Sequence, residues 1–443
     1  MPNTSIHLLG QAFGKKSLFD KYRELIQSFC KFGEFLSFDD NLSWLSCYEK
    51  DAQSLSTKTP LLIFKADSLE IIPSFLKNCC ELNLSVTFRG GGTGYVGSCV
   101  ASSEGVIVLS NQFNKIIDYD CAKGTLIAEP GVTINQINSS SISNEWYFPL
   151  EMLTNGVATI AGCICSNSRG YHQQAEDFYD SVKEITIVDG QGVVLNVPGR
   201  LLVGSEGLFG MITQVRIQLR KKPSFTVYFQ LSLEWDVFHL SFDKLKALEL
   251  LESCTFYEKA FYLKLSGDKW RYKCIEGYLK EIFPDIIEID KSVFFKSLMK
   301  LTPQPHFLFT TAIKSKILLK GILKANQLAQ SLSLLIEIRI DLLANSLLIH
   351  LHNQDENSYF EEKIDQFMIL WTNFIADEGG IIGNCSGIGI QLMRFMTPFW
   401  NEETILSLKK IQKTFDPYQL FNRNRFFPEA GKCLERVRVS CND

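Results

Sequence analysis

The stretch "TFRGGGTGYVGS", from Thr87 to Ser98, carries five glycines between Gly90 and Gly97. Glycine loses more backbone freedom on folding than any other residue, so a cluster of this kind is costly to order. A tight turn, a flexible linker and a loop that wraps an anion are the three explanations to be separated. The sequence on either side of the loop decides among them.

The flanking residues predict a strand, a helix and a second strand that runs into the loop. "PLLIFKA" (60–66) and "LSVTFRGGG" (84–92) are typical of strands, and residues 69–82 place apolar side chains at helical spacing. The loop therefore lies at the end of a sheet strand in a βαβ-like unit. A linker is excluded, because strands flank the loop and it contains bulky residues.

Two phosphate-binding motifs fit the loop poorly. No Gly-Lys-Ser/Thr follows it, as a P-loop requires, and "SCVASSEGVIVLS" (98–110) predicts a loop and a strand where a GxGxxG motif needs a helix. A nest of main-chain N–H groups around an anion such as a pyrophosphate, and a purely structural turn, both remain open.

Two more stretches of small residues favour the anion nest. They are "NGVATIAGCICSNSRG" (155–170) and "LLVGSEGLFGMIT" (201–213). Around them we predict strands at 105–110, 124–132 and 212–219 and a hairpin at 182–197. Three glycine-rich loops in one strand-rich region are expected to line an extended cofactor.

Composition excludes several classes of protein. The 443 residues are 46% hydrophobic and 21% charged, as in ordinary globular enzymes. The net charge is −4 and no long basic block occurs, which argues against nucleic acid and against a polybasic membrane dock. The N-terminus lacks an export-signal pattern and no run of about 18 uncharged apolar residues appears. We expect a cytoplasmic protein without a transmembrane segment.

The 13 cysteines are scattered, with no CxxC pair and no iron–sulfur run. Without export they are expected to remain reduced, most of them as small apolar core residues.

The glycine content of the chain divides it into three parts. We expect residues 1–220, led by a helical segment within 1–45, to form a first domain. Residues 221–375 are poor in glycine and are expected to form a second domain, inserted or appended. Residues 376–443 return to the first domain through "DEGGIIGNCSGIGIQ" (377–391) and a helix at 403–415 that stops before Pro417.

Residues of about 48–220 resemble the FAD-binding domain of the vanillyl-alcohol oxidase/p-cresol methylhydroxylase superfamily. "RGGGTGYVG", "ATIAGCICSNSRG", "DSVKEITIVDGQG" and "VGSEGLFGMITQVRIQL" stand in that family's order and spacing, and "GGIIGNCSGIGIQ … FDPYQLFNRNRFF" resembles the FAD-linked oxidase C-terminal domain. The combination is similar to the branch that holds glycolate oxidase's flavoprotein subunit, D-lactate dehydrogenase and D-2-hydroxyglutarate dehydrogenase. The resemblance implies an α+β fold, with a two-part FAD-binding PCMH-type domain and an α/β substrate cap domain.

The resemblance also implies which residues hold FAD. The first loop has no histidine of the kind that bonds flavin covalently in some relatives, so non-covalent FAD is expected. The implied cofactor-binding residues are Gly90, Gly91, Gly92, Thr93, Gly94, Tyr95, Val96 and Gly97 in the first loop, Pro130 and Gly131 near the adenosine, Ala158, Thr159, Gly162 and Asn167 along the flavin, and Glu206, Gly207 and Ile212 on the far wall.

The family's metal motifs are missing from this chain. Many relatives hold a divalent metal with His-x-Gly-Asp-Gly-Asn-x-His in the middle domain and with Glu-His near the C-terminus. Here Ile340 and Leu347 stand at the histidine positions, and Cys385-Ser386 stands where Glu-His would be. We therefore expect no metal, and we interpret the strand histidines His350 and His352 as ordinary packing. A shifted alignment, which would make His350 one metal ligand, is the alternative.

Three residues remain as catalytic candidates. They are Ser386 as a hydrogen-bond donor beside the flavin, Arg394 as a carboxylate clamp, and His172 as a base after the second loop. Arg423 and Arg425 are further candidate cations. Asp180 matches an acid common in the family, although a solvated surface carboxylate explains it equally well, and Tyr179 replaces a usual arginine.

The sequence thus predicts an FAD-dependent oxidoreductase that oxidises a 2-hydroxy acid by hydride transfer and passes electrons to an acceptor, with or without a partner subunit. A catalytically silent flavin-binding subunit or scaffold is the alternative, because the catalytic positions are altered while the cofactor loops are intact. An oxidase of an alcohol or a sugar acid is a third hypothesis.

Overall fold

The computed structural model of the chain describes the two domains and their interface. The described residues are 17–37, 42–52, 59–101, 105–140, 145–170, 179–233, 244–298, 306–353, 359–423 and 426–427.

The first sheet has four strands and ends in the glycine-rich loop. Its order is β1-β2-β4-β3, in which β2, β4 and β3 run parallel and β1 is antiparallel to β2. The predicted strand–helix–strand unit is confirmed. The elements of this part are α1 (Leu18–Phe29), β1 (Gly33–Ser37), α2 (Leu42–Ser46), β2 (Leu62–Ala66), α3 (Ile72–Glu81), β3 (Ser85–Arg89) and β4 (Gly105–Leu109).

The second sheet has five strands in the order β5-β6-β10-β8-β9, and every pairing in it is antiparallel. The hairpin predicted at 182–197 is confirmed as β8 and β9, and the strand predicted at 212–219 is confirmed as β10. The elements are β5 (Ile116–Asp120), β6 (Thr125–Ala128), α4 (Ile134–Ser139), β7 (Trp146–Tyr147), α5 (Ile160–Ser166), β8 (Val182–Val188), β9 (Val194–Pro198), β10 (Met211–Gln218) and β11 (Arg220–Lys221).

The cap is built on a single sheet of eight strands in the order β15-β12-β14-β13-β17-β18-β16-β19. The mixed helix-and-sheet prediction is confirmed, and all pairings in this sheet are antiparallel. The elements are β12 (Phe225–Ser232), β13 (Leu251–Tyr257), β14 (Ala260–Gly267), α6 (Tyr272–Ile282), β15 (Ile287–Ile289), α7 (Lys291–Leu298), β16 (His306–Ala312), α8 (Leu318–Ser331), β17 (Leu334–Asp341), β18 (Ser346–Asn353), α9 (Phe360–Asp377) and β19 (Ile381–Ile382).

The two faces of the cap sheet differ in polarity, because side chains alternate between faces along a strand. In β17 the isoleucines Ile336, Ile338 and Ile340 alternate with Glu337 and Arg339. The apolar face forms the largest core with α6, α8 and α9. The polar face lines a cavity, and the first domain forms the opposite wall.

The C-terminal segment reaches both domains. β19 pairs with β16 at the edge of the cap sheet, and residue 375, the predicted end of the second domain, lies in α9. After β19 the chain forms α10 (Gly389–Met393) and α11 (Glu402–Phe415). It then reaches Phe421, which forms a parallel bridge with Val86 of β3. The C-terminal segment thus contacts the first sheet at β3.

Short 3₁₀ turns occupy Leu69–Ile71, Gly199–Leu201, Lys269–Arg271 and Ser315–Ile317. Among the described residues, no helix combines the length and the apolar character needed to cross a bilayer.

Candidate functional site

A cavity of about 620 Å³ lies between the glycine-rich loops and the polar face of the cap sheet. This volume is within the range common for cofactor and ligand sites, roughly 300–1,000 Å³. All three small-residue loops predicted from the sequence contribute to its wall. The cap closes the other side with residues of β17, β18 and β16.

The first loop needs glycine because it is pressed against the second. A Cβ added to Gly91 would lie 2.1 Å from the carbonyl oxygen of Val157, which is too close for any side chain. Gly92 adopts φ +68°, a conformation that L-residues rarely take. A Cβ on Gly94, by contrast, would meet nothing within 4 Å, and Gly94 lines the cavity. The loop therefore presents bare main chain to the cavity.

Glu206 ties the loops to the C-terminal segment. Its carboxylate accepts hydrogen bonds from Ser98 Oγ (2.7 Å), from the N–H of Gly389 (2.8 Å) and from the N–H of Ile388. Its own carbonyl accepts from Asn422 Nδ2 at 2.7 Å. The side chain is buried, which raises its pKa above the usual carboxyl value even though these donors oppose the shift. Glu206 lines the cavity, as predicted, but its carboxylate is used to hold the site together.

Most of the predicted cofactor residues line the cavity. Gly97, Pro130, Gly131 and Asn167 do not: the Gly97 N–H donates to Asp51 at 2.6 Å, and Gly131 packs on carbonyl groups in front of α4. Asn167 caps α5 with φ 52° and donates to the carbonyl oxygen of Asn384 at 2.8 Å. The residues that do line it are Gly90, Gly91, Gly92, Thr93, Gly94, Tyr95, Val96, Ala158, Thr159, Gly162, Glu206, Gly207 and Ile212.

These residues fit a dinucleotide such as FAD. The bare main chain at Gly94 leaves room where a side chain would otherwise stand, so a diphosphate can approach the backbone closely. Ala158, Ala161 and Ile212 supply the small apolar surface that a flat ring system requires. The cavity continues past these residues to the polar face of the cap, which leaves space for a second molecule.

The candidate Ser386 lies in the cavity, but its hydroxyl is engaged. It is 3.0 Å from Thr310 Oγ1 and 3.3 Å from the carbonyl oxygen of Gly387. Burial raises the pKa of the neighbouring Cys385 thiol, although Arg169 and Arg339 oppose that shift. Neither Ser386 nor Cys385 is suited to accept a proton at neutral pH.

Arg394, expected to clamp a substrate carboxylate, lies away from the cavity. Its guanidinium binds Asp365 at the surface, with Nη1 3.1 Å from Oδ2, and it does not line the cavity. Arg423 binds the Gln419 carbonyl and Asn83, also outside the cavity. Asp180 pairs with Arg200 at the surface. His172 and Arg425 lie outside the described residues.

Two cavity cations were missed by sequence reasoning. Arg169 lies at the end of the second loop, and its buried Nε has no hydrogen-bond partner in the described part of the chain. Arg339 projects from β17 and contacts Asp341 at 3.2 Å. Both guanidinium groups act on the Cys385 thiol, so they flank the same part of the cavity. The polar–apolar alternation of "LLIEIRID" was the available signal for Arg339.

The buried strand histidines lie on the face of the cap sheet that carries Glu337, and not on the face that forms the apolar core. Glu337 stands opposite His350 across β17 and β18, and His352 is two residues further along the same face. Nδ1 of His350 lies 4.0 Å, and Nε2 of His352 3.9 Å, from the Glu337 carboxylate. Burial lowers the pKa of His352, so its neutral form is favoured.

The residues at the positions expected for the family's metal ligands offer few donor atoms. Ile340 and Leu347 are buried in the apolar core of the cap, and neither has a donor atom. Cys385 and Ser386 replace the remaining ligands, and the Ser386 hydroxyl is already bonded. No step of the chemistry is assigned to a metal at these positions.

Comparison with known proteins defines the class. Residues 60–198 match the family described as FAD binding domain. The fold is that of FAD-binding PCMH-type proteins: a solved alkyldihydroxyacetonephosphate synthase superposes with a TM-score of 0.70 at 14% identity, over 90% of this chain and 84% of the other. Residues 60–198 thus form an FAD binding domain, and FAD is its cofactor.

Curated relatives are dehydrogenases and oxidases. The chain is similar to glycolate oxidase subunit GlcD of Escherichia coli K12, with 27% identity over 188 residues, 40% of this chain and 38% of the relative. It is also similar to mitochondrial D-2-hydroxyglutarate dehydrogenase of Danio rerio (26% over 196 residues, 41% and 35%). The D-2-hydroxyglutarate–pyruvate transhydrogenase DLD3 of Saccharomyces cerevisiae matches at 24% over 267 residues, 57% and 50%. The chain spans about two fifths of the length of the first relatives, at 38%.

Proposed function

We propose that this protein is an FAD-dependent oxidoreductase that oxidises a 2-hydroxy acid. The observation that carries the proposal is the continuity of a single cavity from the cofactor loops to the two guanidinium groups of Arg169 and Arg339. Relatives named for the oxidation of glycolate and 2-hydroxyglutarate support the same class of substrate.

Arg169 and Arg339 provide the site for the substrate carboxylate. A carboxylate between two guanidinium groups gains charge-assisted hydrogen bonds from both. The buried Nε–H of Arg169 donates a hydrogen bond to no described residue. A bound ligand is expected to accept from such a donor.

The hydroxyl end of the substrate would face the other donors and acceptors of the cap sheet. Glu337 and His350 line the cavity on the same face as Arg339, and their lone pairs are able to accept the hydroxyl proton. FAD, when bound, supplies the acceptor for the hydride from the substrate carbon. Anchoring the carboxylate fixes which carbon–hydrogen bond faces the flavin, so the site should distinguish D- from L-acids.

The test is anaerobic reduction of the purified, flavin-loaded protein. We expect glycolate or one enantiomer of lactate or 2-hydroxyglutarate to bleach the visible flavin band, while the matching diols, which lack the carboxylate, leave it unchanged. Reduction by the diols alone would instead indicate an alcohol oxidase.

Variants of the two arginines test the carboxylate site. Arg169→Met and Arg339→Met should each raise KM by roughly 10- to 100-fold, because a hydrogen bond to a charged group contributes about 1.5–3 kcal/mol. Arg216→Met is the matched control, since Arg216 is exposed and pairs with Glu184 away from the cavity. Loss of activity in Arg394→Met, with both cavity variants unaffected, would contradict the assignment.

A catalytically silent flavin-binding subunit is the second candidate. Cys385, Ser386, Ile340 and Leu347 at the family's catalytic positions favour it. A flavin-loaded protein that no 2-hydroxy acid, alcohol or sugar acid reduces would support this candidate and overturn the first.

A further inference from the structure

The side chains of Glu337, His350 and His352 form a compact group on the polar face of the cap sheet. Glu337 and His350 are directly opposite each other in adjacent antiparallel strands, and His352 follows at the next position on that face. The two histidine side chains are 8% and 10% exposed, whereas Glu337 is 33% exposed and lines the cavity.

The donor atoms of this group are close enough to share one ion. One ligand atom from each residue can be chosen so that all lie within 4.8 Å of one another. Ligand atoms around a tetrahedral ion with bonds of about 2.0–2.1 Å are roughly 3.4 Å apart. Binding one ion therefore requires the donor atoms to approach one another by up to about 1.4 Å, through small movements of the three side chains.

We propose that Glu337, His350 and His352 bind a divalent transition-metal ion, at positions that the family's metal motif does not use. Two imidazoles and one carboxylate suit Zn²⁺ and similar ions, and three protein ligands leave a coordination position open. That position would face the cavity, which Glu337 and His350 line.

The surroundings of the group support this assignment. The Tyr257 hydroxyl donates to Glu337 Oε2 at 3.2 Å and so orients the carboxylate, as an outer-shell partner does at metal sites. A bound cation would take up the lone pairs that otherwise accept a proton, and it would place positive charge at the cap side of the cavity. An anionic oxygen of a molecule in the cavity is the ligand that this charge favours.

Metal binding is measured without flavin or turnover, so its outcome is separate from that of the proposed oxidation. Exposed thiols at Cys30, Cys47, Cys121 and Cys274 would also take up zinc, so they are alkylated first. The chelator-stripped protein is then titrated with zinc chloride in a calorimeter, and the metal content is measured after desalting. We expect a single ion per chain, and no comparable uptake of Mg²⁺, which prefers oxygen ligands.

Glu337→Gln and His352→Gln should weaken zinc binding by at least about tenfold. Glu34→Gln makes the same chemical change on an exposed strand residue and should leave binding unaltered. Glu337→Gln is nearly isosteric, and circular dichroism of each variant verifies the fold. A wild-type protein that takes up no zinc, or a folded Glu337→Gln variant that binds it as tightly as wild type, would overturn the proposal.

Discussion

At the scale of single residues, Glu206 shows how one buried carboxylate joins parts of the chain that are distant in sequence. It adopts φ 50°, and its oxygens accept from Ser98 in the first loop and from Ile388 and Gly389 in the C-terminal segment. The sequence predicted that Glu206 lies in the site. It did not predict these partners, because none of them is a neighbour in the chain.

We expect Glu206→Ala to lower the free energy of unfolding by about 1–3 kcal/mol, because the buried N–H of Gly389 and the partly buried N–H of Ile388 would lose their acceptor. Chemical denaturation of the flavin-free protein measures this loss. Glu184→Ala, an exposed carboxylate paired with Arg216, is the control and should cost less than about 1 kcal/mol. Equal stability of Glu206→Ala and wild type would show that the hydrogen bonds of the Glu206 carboxylate do not stabilise the fold.

The catalytic candidates illustrate the limit of residue-level prediction. Arg394 was chosen by its place in a motif, yet it pairs with Asp365 at the surface. Arg339 and Arg169 line the cavity, although neither was chosen as a candidate and only Arg169 lies in a quoted motif. Charge type can be read from a sequence, but the direction in which a side chain points depends on the sheet register and on packing.

At the scale of elements, the first loop was correctly located because glycine spacing and flanking strands are local signals. β3 ends at Arg89 and the loop begins at once. The polar face of the cap sheet was readable only in β17, where polar and apolar residues alternate. In β18 the apolar residues of "SLLIHLHN" occupy both faces, so the direction of His350 and His352 was not evident.

Gly91 and Gly94 provide a matched test of the loop. Gly91→Ala should destabilise the flavin-free protein, because its Cβ would lie 2.1 Å from the Val157 carbonyl oxygen. Gly94→Ala meets nothing within 4 Å, so its stability should stay within about 1 kcal/mol of wild type.

Gly94→Ala should nevertheless weaken FAD binding by about tenfold or more, about 1.4 kcal/mol, because the methyl group enters the space beside the bare main chain. Flavin titration followed by fluorescence measures this affinity. Unchanged affinity in Gly94→Ala would place the cofactor elsewhere in the cavity.

At the scale of the whole molecule, a buried ion-pair network joins the cap to the first domain. Lys264 of β14 is 2.9 Å from Glu252 and 3.1 Å from Glu151, which precedes the cavity residues Met152 and Leu153. Lys291 also binds Glu151, at 2.7 Å. Burial favours the protonated form of Glu151, but the two lysines outweigh it and hold the pKa of this carboxyl below its usual value of 4.5.

We expect Lys264→Met to lower stability by about 3–5 kcal/mol, because it leaves two mostly buried carboxylates without their shared cation. Equilibrium unfolding in urea at neutral pH measures the loss. Lys65→Met, in an exposed pair with Glu34, should cost less than about 1 kcal/mol.

The network also predicts a pH dependence. A carboxyl group whose pKa is lowered by folding contributes stability above its unfolded value, and that contribution is lost as the pH falls through the folded value. Stability should therefore decline below about pH 4.5, and Glu151→Gln should show a shallower decline than wild type. Parallel curves for the two proteins would mean that other carboxylates account for the acid sensitivity.

By itself the sequence determined the FAD binding domain and its glycine-rich loops. These features depend on residues close together in the chain: glycines at a strand end and alternation along a strand. Only the tertiary structure decided which cations face the cavity and that Glu337 meets His350 and His352. Those contacts join separate strands and loops, and their geometry follows from strand register and domain packing, which local sequence patterns do not encode.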